Sequence, residues 1–330
     1  MNRHFTHEGP QGERLRPLGL GCAAFGNLYA PVADVDAEAA MAAAIDVGVR
    51  HFDTAPYYGH GLSESRLGAF LRATGHDVIL SSKVGRSLAE GEAPGDTGFV
   101  GAACARPYFD YGRDAVLRQV EGSLRRLGRE RLDMLFVHDI GALVHGADHP
   151  ARFQQALDGA FPALAELKAQ GVVDAIGIGV NEVAVCLETL AAVEIDLILL
   201  AGRYTLLEQA ALDDLLPLCA ARGVGVIVGG PFNSGVLAGG DHYDYGAVPA
   251  AIGQRVERLR RVGEAHGVPL AAAALQFPLA APAVCSVIPG ARSAAEVRAN
   301  TAAMAHAIPA DYWAALKAEG LLRADAPVPA

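Results

Sequence analysis

Apolar and polar positions along this chain follow two alternating rhythms. Short, nearly continuous apolar runs occupy residues 18–22, 49–54, 78–83, 132–138, 175–180, 197–201, 224–229 and 284–289. Each is followed by alanine-rich sequence with helical periodicity: 35–47, 63–73, 114–127, 155–170, 182–192, 210–222, the pair 252–266 and 270–280, and 293–303. In 114–127, Leu117, Val120, Leu124 and Leu127 share one helical face. Asp34 opens the first helix, and Gly171 and Gly223 end two others. The pattern predicts eight strands, each followed by helix. Strands this apolar are covered on both faces, as in a parallel sheet. The arrangement fits a closed (β/α)8 barrel of the TIM type better than an open sheet. A doubly wound sheet is the alternative. It calls for a GxGxxG turn after the first strand, and Gly19-Leu20-Gly21-Cys22-Ala23-Ala24 lacks the third glycine.

Three segments after strands exceed the usual βα connection: 85–113, 139–154 and 230–251. In a barrel they overhang the C-terminal mouth, where active sites sit. The first, rich in Pro, Gly and aromatics, reads as a substrate-covering lid or, equally, a structureless excursion.

The chain has 330 residues, 52% hydrophobic and 19% charged, enough to bury a sizeable core. One domain over 1–330 is expected, with 1–12 and 322–330 as tails. The formal net charge of −10 argues against nucleic acid as a partner. No apolar run approaches the roughly 20 residues of a membrane helix, and the polar start is not a secretory signal. Five cysteines without CxxC spacing suggest reduced thiols in a cytoplasm, with Cys22 and Cys285 on neighbouring strands. His145 and His149 have metal-ligand spacing only if helical; Gly146 and Pro150 argue for a loop, and no metal is expected. The arginines of 255–261 read as a solvated helix face.

Polar residues closing successive strands supply the chemistry. The second strand runs into Asp53 and Tyr58, the third ends on Lys83, and the fourth ends on His138. Together they suit proton transfer at a carbon centre. A phenol titrates near 10, and a nearby ammonium lowers that value. Asp53 balances Lys83, and His138 orients a substrate oxygen. Each residue alone reads more simply as a structural polar group; four at successive strand ends do not.

The run Gly48-Val49-Arg50-His51-Phe52-Asp53-Thr54-Ala55-Pro56-Tyr57-Tyr58-Gly59, followed by Ser63-Glu64-Ser65-Arg66-Leu67-Gly68, resembles the signature of the aldo-keto reductase family. Lys83, His138, Ile288-Pro289-Gly290 and Asn300 extend the resemblance over nearly the whole chain. The resemblance implies a (β/α)8 barrel binding a nicotinamide dinucleotide without a Rossmann motif. Tyr58 then becomes the proton donor or acceptor, Lys83 its modulator, Asp53 the partner of Lys83, and His138 the substrate-orienting group.

The same resemblance implies cofactor contacts at Gly21, Cys22, Asn181 (carboxamide), Tyr204 (ring stacking) and Asn300. It makes Gly230, Pro231, Phe232, Asn233, Gly235 and Leu237 a pyrophosphate loop. Val180 and Ala201 stand where the family often has serine and glutamine. Around the last strand, Gly290, Arg292 and Glu296 bear on the choice between NAD and NADP. A carboxylate repels a 2′-phosphate and accepts from a free ribose diol, so NAD or dual use is expected.

Gly21–Leu28, Arg106–Tyr111 and Gly229–Gly235 resemble the aldose 1-dehydrogenase branch, which acts on sugars of the L-fucose, D-arabinose or L-galactose type. Pyridoxal 4-dehydrogenases are closely related. The implied reaction oxidises an aldose at C1 to a lactone, with Asn27, His60, Asp139 and Arg203 as candidate readers of sugar hydroxyls. The rivals are a general NADPH-dependent aldehyde reductase and a non-catalytic, cofactor-binding regulatory subunit. The partner expected is a small sugar or aldehyde, and the protein a monomer or small homo-oligomer.

Overall fold

The computed structural model describes residues 15–91, 97–103 and 105–329. Its central sheet has eight parallel strands: β1 (Leu20–Gly21), β2 (His51–Asp53), β3 (Ile79–Val84), β4 (Leu132–His138), β5 (Val173–Val180), β6 (Leu197–Ala201), β7 (Gly225–Gly229) and β8 (Val284–Ile288). They neighbour one another in chain order. Parallel bridges Leu18–Val287 and Gly21–Gly290 join the first strand to the last, and Gly19 N–H donates to Val287 O at 2.9 Å. The sheet is thereby a barrel.

The two-residue period of a strand sorts side chains to opposite faces. Ile79, Met134, Phe136, Ala175, Leu197, Leu199, Ile227, Cys285 and Ile288 form one buried cluster. Phe52, Leu80, Leu135, Val137, Ile178, Ile198, Leu200, Val226 and Val228 join a larger cluster with the surrounding helices. The first set fills the barrel and the second seals it to the helix layer. On the inward positions of β2, β3 and β4 stand polar residues instead: His51 and Asp53, Ser81 and Lys83, and His138.

The long segments are more regular than their composition suggests. The first forms an antiparallel hairpin, Arg86–Glu90 with Ala105–Phe109, pairing Arg86 with Phe109. Gln119 clamps its base, accepting from Gly85 N–H at 2.6 Å and donating to Asp110 O at 3.0 Å. Gly85 has φ +103°, and a Cβ there would sit 2.2 Å from the Tyr111 ring, so only glycine fits. The second segment winds through helical turns Ala142–His145 and Gly146–Asp148 into helix His149–Gln155, so the helix expected from 155 begins earlier. The third carries a helical turn, Asn233–Ala238, and a hairpin, His242–Tyr243 with Gly246–Ala247.

Other expectations are corrected. The loop reading of His145 and His149 fails, yet both rings are engaged elsewhere. His145 Nε2 lies 2.9 Å from Tyr111 Oη, and His149 Nε2 lies 2.8 Å from Glu188. The end of the chain is not a loose tail, because Leu322 and Ala326 are buried in the core. Arg255 is not simply solvated: it donates to Leu207 O and Leu321 O, both at 3.0 Å, tying that end down. The helix Ala310–Ala318 has no counterpart in the periodic pattern; it buries Tyr312, Trp313 and Leu316. Cys22, Cys186, Cys219 and Cys285 are free and buried. Cys104 and the expected tail at 1–12 lie outside the described residues.

Candidate active site

Asp53, Lys83 and His138 come together because their strands are adjacent and the three share the inward face. Tyr58 reaches them from the turn after β2. Gly26 and Gly59 allow this turn to pack: a Cβ on Gly26 would lie 2.4 Å from Tyr58 C. The segment Ser63 to Gly68 then serves structure. Glu64 is fully buried, accepting from Ser82 Oγ and Arg126 Nε, each at 2.7 Å, which locks helix Leu62–Thr74 onto β3. Arg66 donates to Phe25 O at 2.7 Å and to Asn27 Oδ1 at 2.9 Å.

Lys83 Nζ donates to Asp53 Oδ2 at 2.7 Å and to Thr54 O at 2.8 Å, with both side chains buried. It stands 4.6 Å from the centroid of the Tyr58 ring. The rings of Tyr58 and His138 meet edge to face at 6.1 Å. The expectation that the ammonium lowers the Tyr58 pKa is overturned. Burial, followed by the Asp53 and Asp139 carboxylates, pushes the phenol well above its ordinary 10, although Arg86 opposes the shift. The physical reason is first that burial penalises the charged phenolate, and second that the Asp53 carboxylate repels it. Burial pushes His138 down to about 3, so its imidazole is neutral at physiological pH and offers one N–H.

Arg86, which no sequence pattern singles out, lies beside this group. It pairs with Asp139 at 2.6 Å, and its guanidinium stacks 3.8 Å from the Tyr57 ring centroid and 4.8 Å from that of Phe109. Asp139 Oδ2 lies 3.5 Å from His138 Nε2. Tyr111 Oη is 2.9 Å from both the His138 and Asp139 carbonyls and holds this strand end in place. Tyr57 and Phe99 pack edge to face at 5.2 Å and add an aromatic wall. No local sequence signal marks Arg86, because its position depends on the hairpin folding back over the mouth.

The candidate sugar readers divide. Asp139 borders the site. His60 is buried, with Nδ1 3.3 Å from Ala103 O and Nε2 unpartnered among the described residues. Asn27 is a structural residue: its amide donates to Val100 O and accepts from Val32 N–H, both at 3.0 Å. Arg203 is likewise committed, donating to Asn181 O at 2.6 Å and to Asp244 at 2.8 Å.

The cofactor candidates also divide. Tyr204 is fully buried, its ring 5.3 Å from that of Phe277, so it has no face free for a nicotinamide. Gly202, at φ +68°, turns the chain just before it and sends the ring into the helix layer. Cys22 is buried, its thiol 3.6 Å from Leu20 O. Asn233 is buried and builds its loop, accepting from Thr205 Oγ1 at 2.6 Å and donating to Gly202 O at 3.1 Å. Pro231, Phe232 and Leu237 are buried as well, which leaves Gly230 exposed and Gly235 half-buried. Asn233 and Ser234 hold φ +47° and +61°, a conformation that costs energy in residues other than glycine.

Around the rim, Gly21 is half-buried and Gly290 and Arg292 are exposed. Asn300 donates to Gly290 O at 3.4 Å. Glu296 also serves the local structure. Its carboxylate accepts from Arg292 N–H at 2.8 Å while Ser293 Oγ accepts from Glu296 N–H at 3.3 Å, capping helix Ala294–Ala305. Asn181 Nδ2 donates to Tyr245 Oη at 3.0 Å. A half-buried amide, exposed glycine backbone and one exposed arginine suit a long anionic molecule with a flat amide-bearing end. The residues present therefore fit a nicotinamide dinucleotide, held more by backbone than the resemblance implied.

A family model described as "Aldo/keto reductase family" matches residues 17–319. The chain is 40% identical over 330 residues to pyridoxal 4-dehydrogenase of Microbacterium luteolum, covering 95% of this chain and 96% of that one. It is 39% identical over 319 residues to D-threo-aldose 1-dehydrogenase of a Pseudomonas species, covering 92% and 94%. A solved aldo-keto reductase from Bacillus halodurans in its holo form superposes with TM-score 0.73 at 26% identity, covering 93% and 92%.

Proposed function

The chain belongs to the aldo/keto reductase family and is an NAD(P)-dependent oxidoreductase acting on CH–OH groups; from that premise we propose that it oxidises an aldose of the L-fucose, D-arabinose or L-galactose type at C1 to the lactone. The observation carrying this reading is the convergence of Tyr58, Lys83, Asp53 and His138 beside a polar pair, Asp139 and Arg86. A sugar brings hydroxyls for that pair to meet.

Tyr58, once ionised, accepts the proton of the anomeric hydroxyl at its phenolate oxygen. Lys83, anchored by Asp53, keeps a cation beneath that phenol. His138, neutral, donates its N–H to the substrate oxygen and orients it, and Asp139 accepts from a neighbouring hydroxyl. When bound, the oxidised nicotinamide supplies the hydride acceptor and a positive charge that favours the phenolate. Asn181 holds its carboxamide, the Gly230 and Gly235 backbone its pyrophosphate, and Arg292 and Glu296 its adenosine ribose. The Glu296 carboxylate makes NAD the preferred form.

A second reading takes pyridoxal as the substrate. The aromatic wall of Tyr57 and Phe99 suits a flat ring, and the similarity to pyridoxal 4-dehydrogenase supports it. An assay of NADH and NADPH formation with L-fucose, D-arabinose, L-galactose and pyridoxal separates the two. Higher kcat/KM for an aldose with NAD is the expected result. Preference for pyridoxal favours the second reading, and faster aldehyde reduction with NADPH favours a reductase. Cofactor binding without turnover points to a regulatory role. A strong NADP preference would mean that Arg292 outweighs Glu296.

A further inference from the structure

Below Asp53 and Lys83, on the same inward face, lies a second buried polar layer that the proposed mechanism leaves unused. Ser81 stands two residues before Lys83, and His51 two residues before Asp53. Ser81 Oγ lies 2.7 Å from Asp53 Oδ1 and 2.8 Å from His51 Nε2. His51, Ser81, Asp53 and Lys83 are all at most 2% exposed.

Donor counting fixes the direction of this chain. Asp53 faces the Lys83 ammonium, so it is an ionised acceptor. The single hydroxyl proton of Ser81 therefore goes to Asp53 Oδ1, and Ser81 Oγ must accept from His51 Nε2–H. That requires the Nε2-protonated tautomer of a neutral ring and leaves Nδ1 bare. Consistently, His51 Nδ1 has no hydrogen-bond partner among the described residues. A Cβ at Gly19 would come within 3.0 Å of that nitrogen, so backbone backs the ring there. Burial holds the imidazole neutral, lowering its pKa to about 4.

Each Asp53 oxygen thus has its own donor: Ser81 on Oδ1 and Lys83 on Oδ2. A carboxylate held at one oxygen can pivot; held at both, it cannot. Lys83 spends two of its three protons on Asp53 and Thr54 O, which fixes Nζ 4.6 Å from the Tyr58 ring centroid. We propose that Ser81, oriented by His51, is a positioning residue: it pins the Asp53 carboxylate and thereby keeps Lys83 Nζ under Tyr58. This rests on the reading of Tyr58 as the proton-transferring group.

The test compares Ser81→Ala, Ser81→Thr, His51→Gln and His51→Leu in the full chain, with thermal melts to establish folding. Ser81→Ala should lower kcat about tenfold or more, the usual effect of losing one hydrogen bond to a charge. Substrate KM and cofactor affinity should stay within about twofold, since neither ligand is touched. Without the Ser81 proton, more of the Asp53 charge acts on Tyr58, so the rising limb of the oxidation pH profile moves to higher pH. Ser81→Thr, which keeps the hydroxyl, and His51→Gln, which keeps an N–H at similar reach, should restore kcat and the limb; His51→Leu should not. An unchanged kcat and limb in Ser81→Ala, or equal losses in Ser81→Ala and Ser81→Thr, overturns the proposal.

Two measurements do not need turnover. Nitrogen-15 NMR of the unsubstituted protein should show His51 protonated at Nε2 alone near neutral pH; an Nδ1–H or charged ring overturns the chain. Lys83, Lys168 and Lys317 are the only lysines, so the Lys83 side-chain signal is readily assigned and should move in Ser81→Ala. A Lys83 signal that does not move overturns the proposal. Absence of turnover on every substrate would sink the proposed function, and these signals would still decide the positioning role.

Discussion

Two walls of the barrel mouth are built on opposite principles. The wall carrying Asp53, Lys83 and His138 stands on strands. Its charged pair is buried at 2.7 Å, and its side chains take positions that the sheet register dictates. The wall carrying Asn181, Arg203, Asp244 and Tyr245 is made from loops. Its ion pair, Arg203 with Asp244, leaves the carboxylate side chain 42% exposed, and Asp244 and Tyr245 sit at a hairpin tip with φ +48° and +65°. The first wall resists movement because shifting one residue exposes an unpaired buried charge. The second carries only a partly exposed pair, so displacing it costs little.

The largest expected effect tests the first wall. Tyr58→Phe should lower kcat about 10²–10⁴-fold, the range of a lost general acid–base, with an unchanged melting curve. A comparable rate in that variant would remove Tyr58 from the chemistry. Asp53→Asn should destabilise the fold by about 3–5 kcal/mol in urea unfolding, because it strands a buried ammonium. If it instead cost no more than a loop substitution, the contrast between the walls would collapse.

Acid should expose the same wall. The unfolded chain protonates His51 and His138 near the ordinary 6.5, whereas the folded rings resist until about 4 and about 3. Their contribution to stability is therefore complete above 6.5 and is lost as pH falls toward those values. For His51 alone the loss by pH 4 is roughly 3 kcal/mol, and His51→Gln should flatten that part of the stability–pH curve.

Smaller effects belong to the second wall. Arg203→Ala should cost about 1 kcal/mol or less in stability while raising the cofactor KM severalfold, read from steady-state kinetics. Tyr245→Phe should change stability by less than about 0.5 kcal/mol. It releases Asn181 from the phenol, so cofactor titration should show equal or tighter binding. Weaker binding would mean that Tyr245 supports the cofactor.

The same division explains what could be read in advance. The strand count, the barrel and the polar residues at successive strand ends follow from short apolar runs and what closes them, a property local to each run. His51 and Ser81 carry the same signal, each two residues from a singled-out neighbour, yet a single polar residue in an apolar strand looks structural. Tyr204, Asn27 and Arg203 mislead because loop side chains obey no period; their direction depends on turns such as Gly202 and on partners far along the chain.

By itself the sequence determined the eight βα units, the closed barrel they form and the polar residues that end its second, third and fourth strands, since strand and helix periods are written in neighbouring positions. Only the tertiary structure decided that burial raises the Tyr58 pKa where a nearby ammonium was expected to lower it, that Arg86 folds over the mouth to meet Asp139, and that Glu296 is tied into the Ser293 helix cap. Desolvation, ion pairing and capping depend on groups that meet in space across tens of residues, and local periodicity carries no record of them.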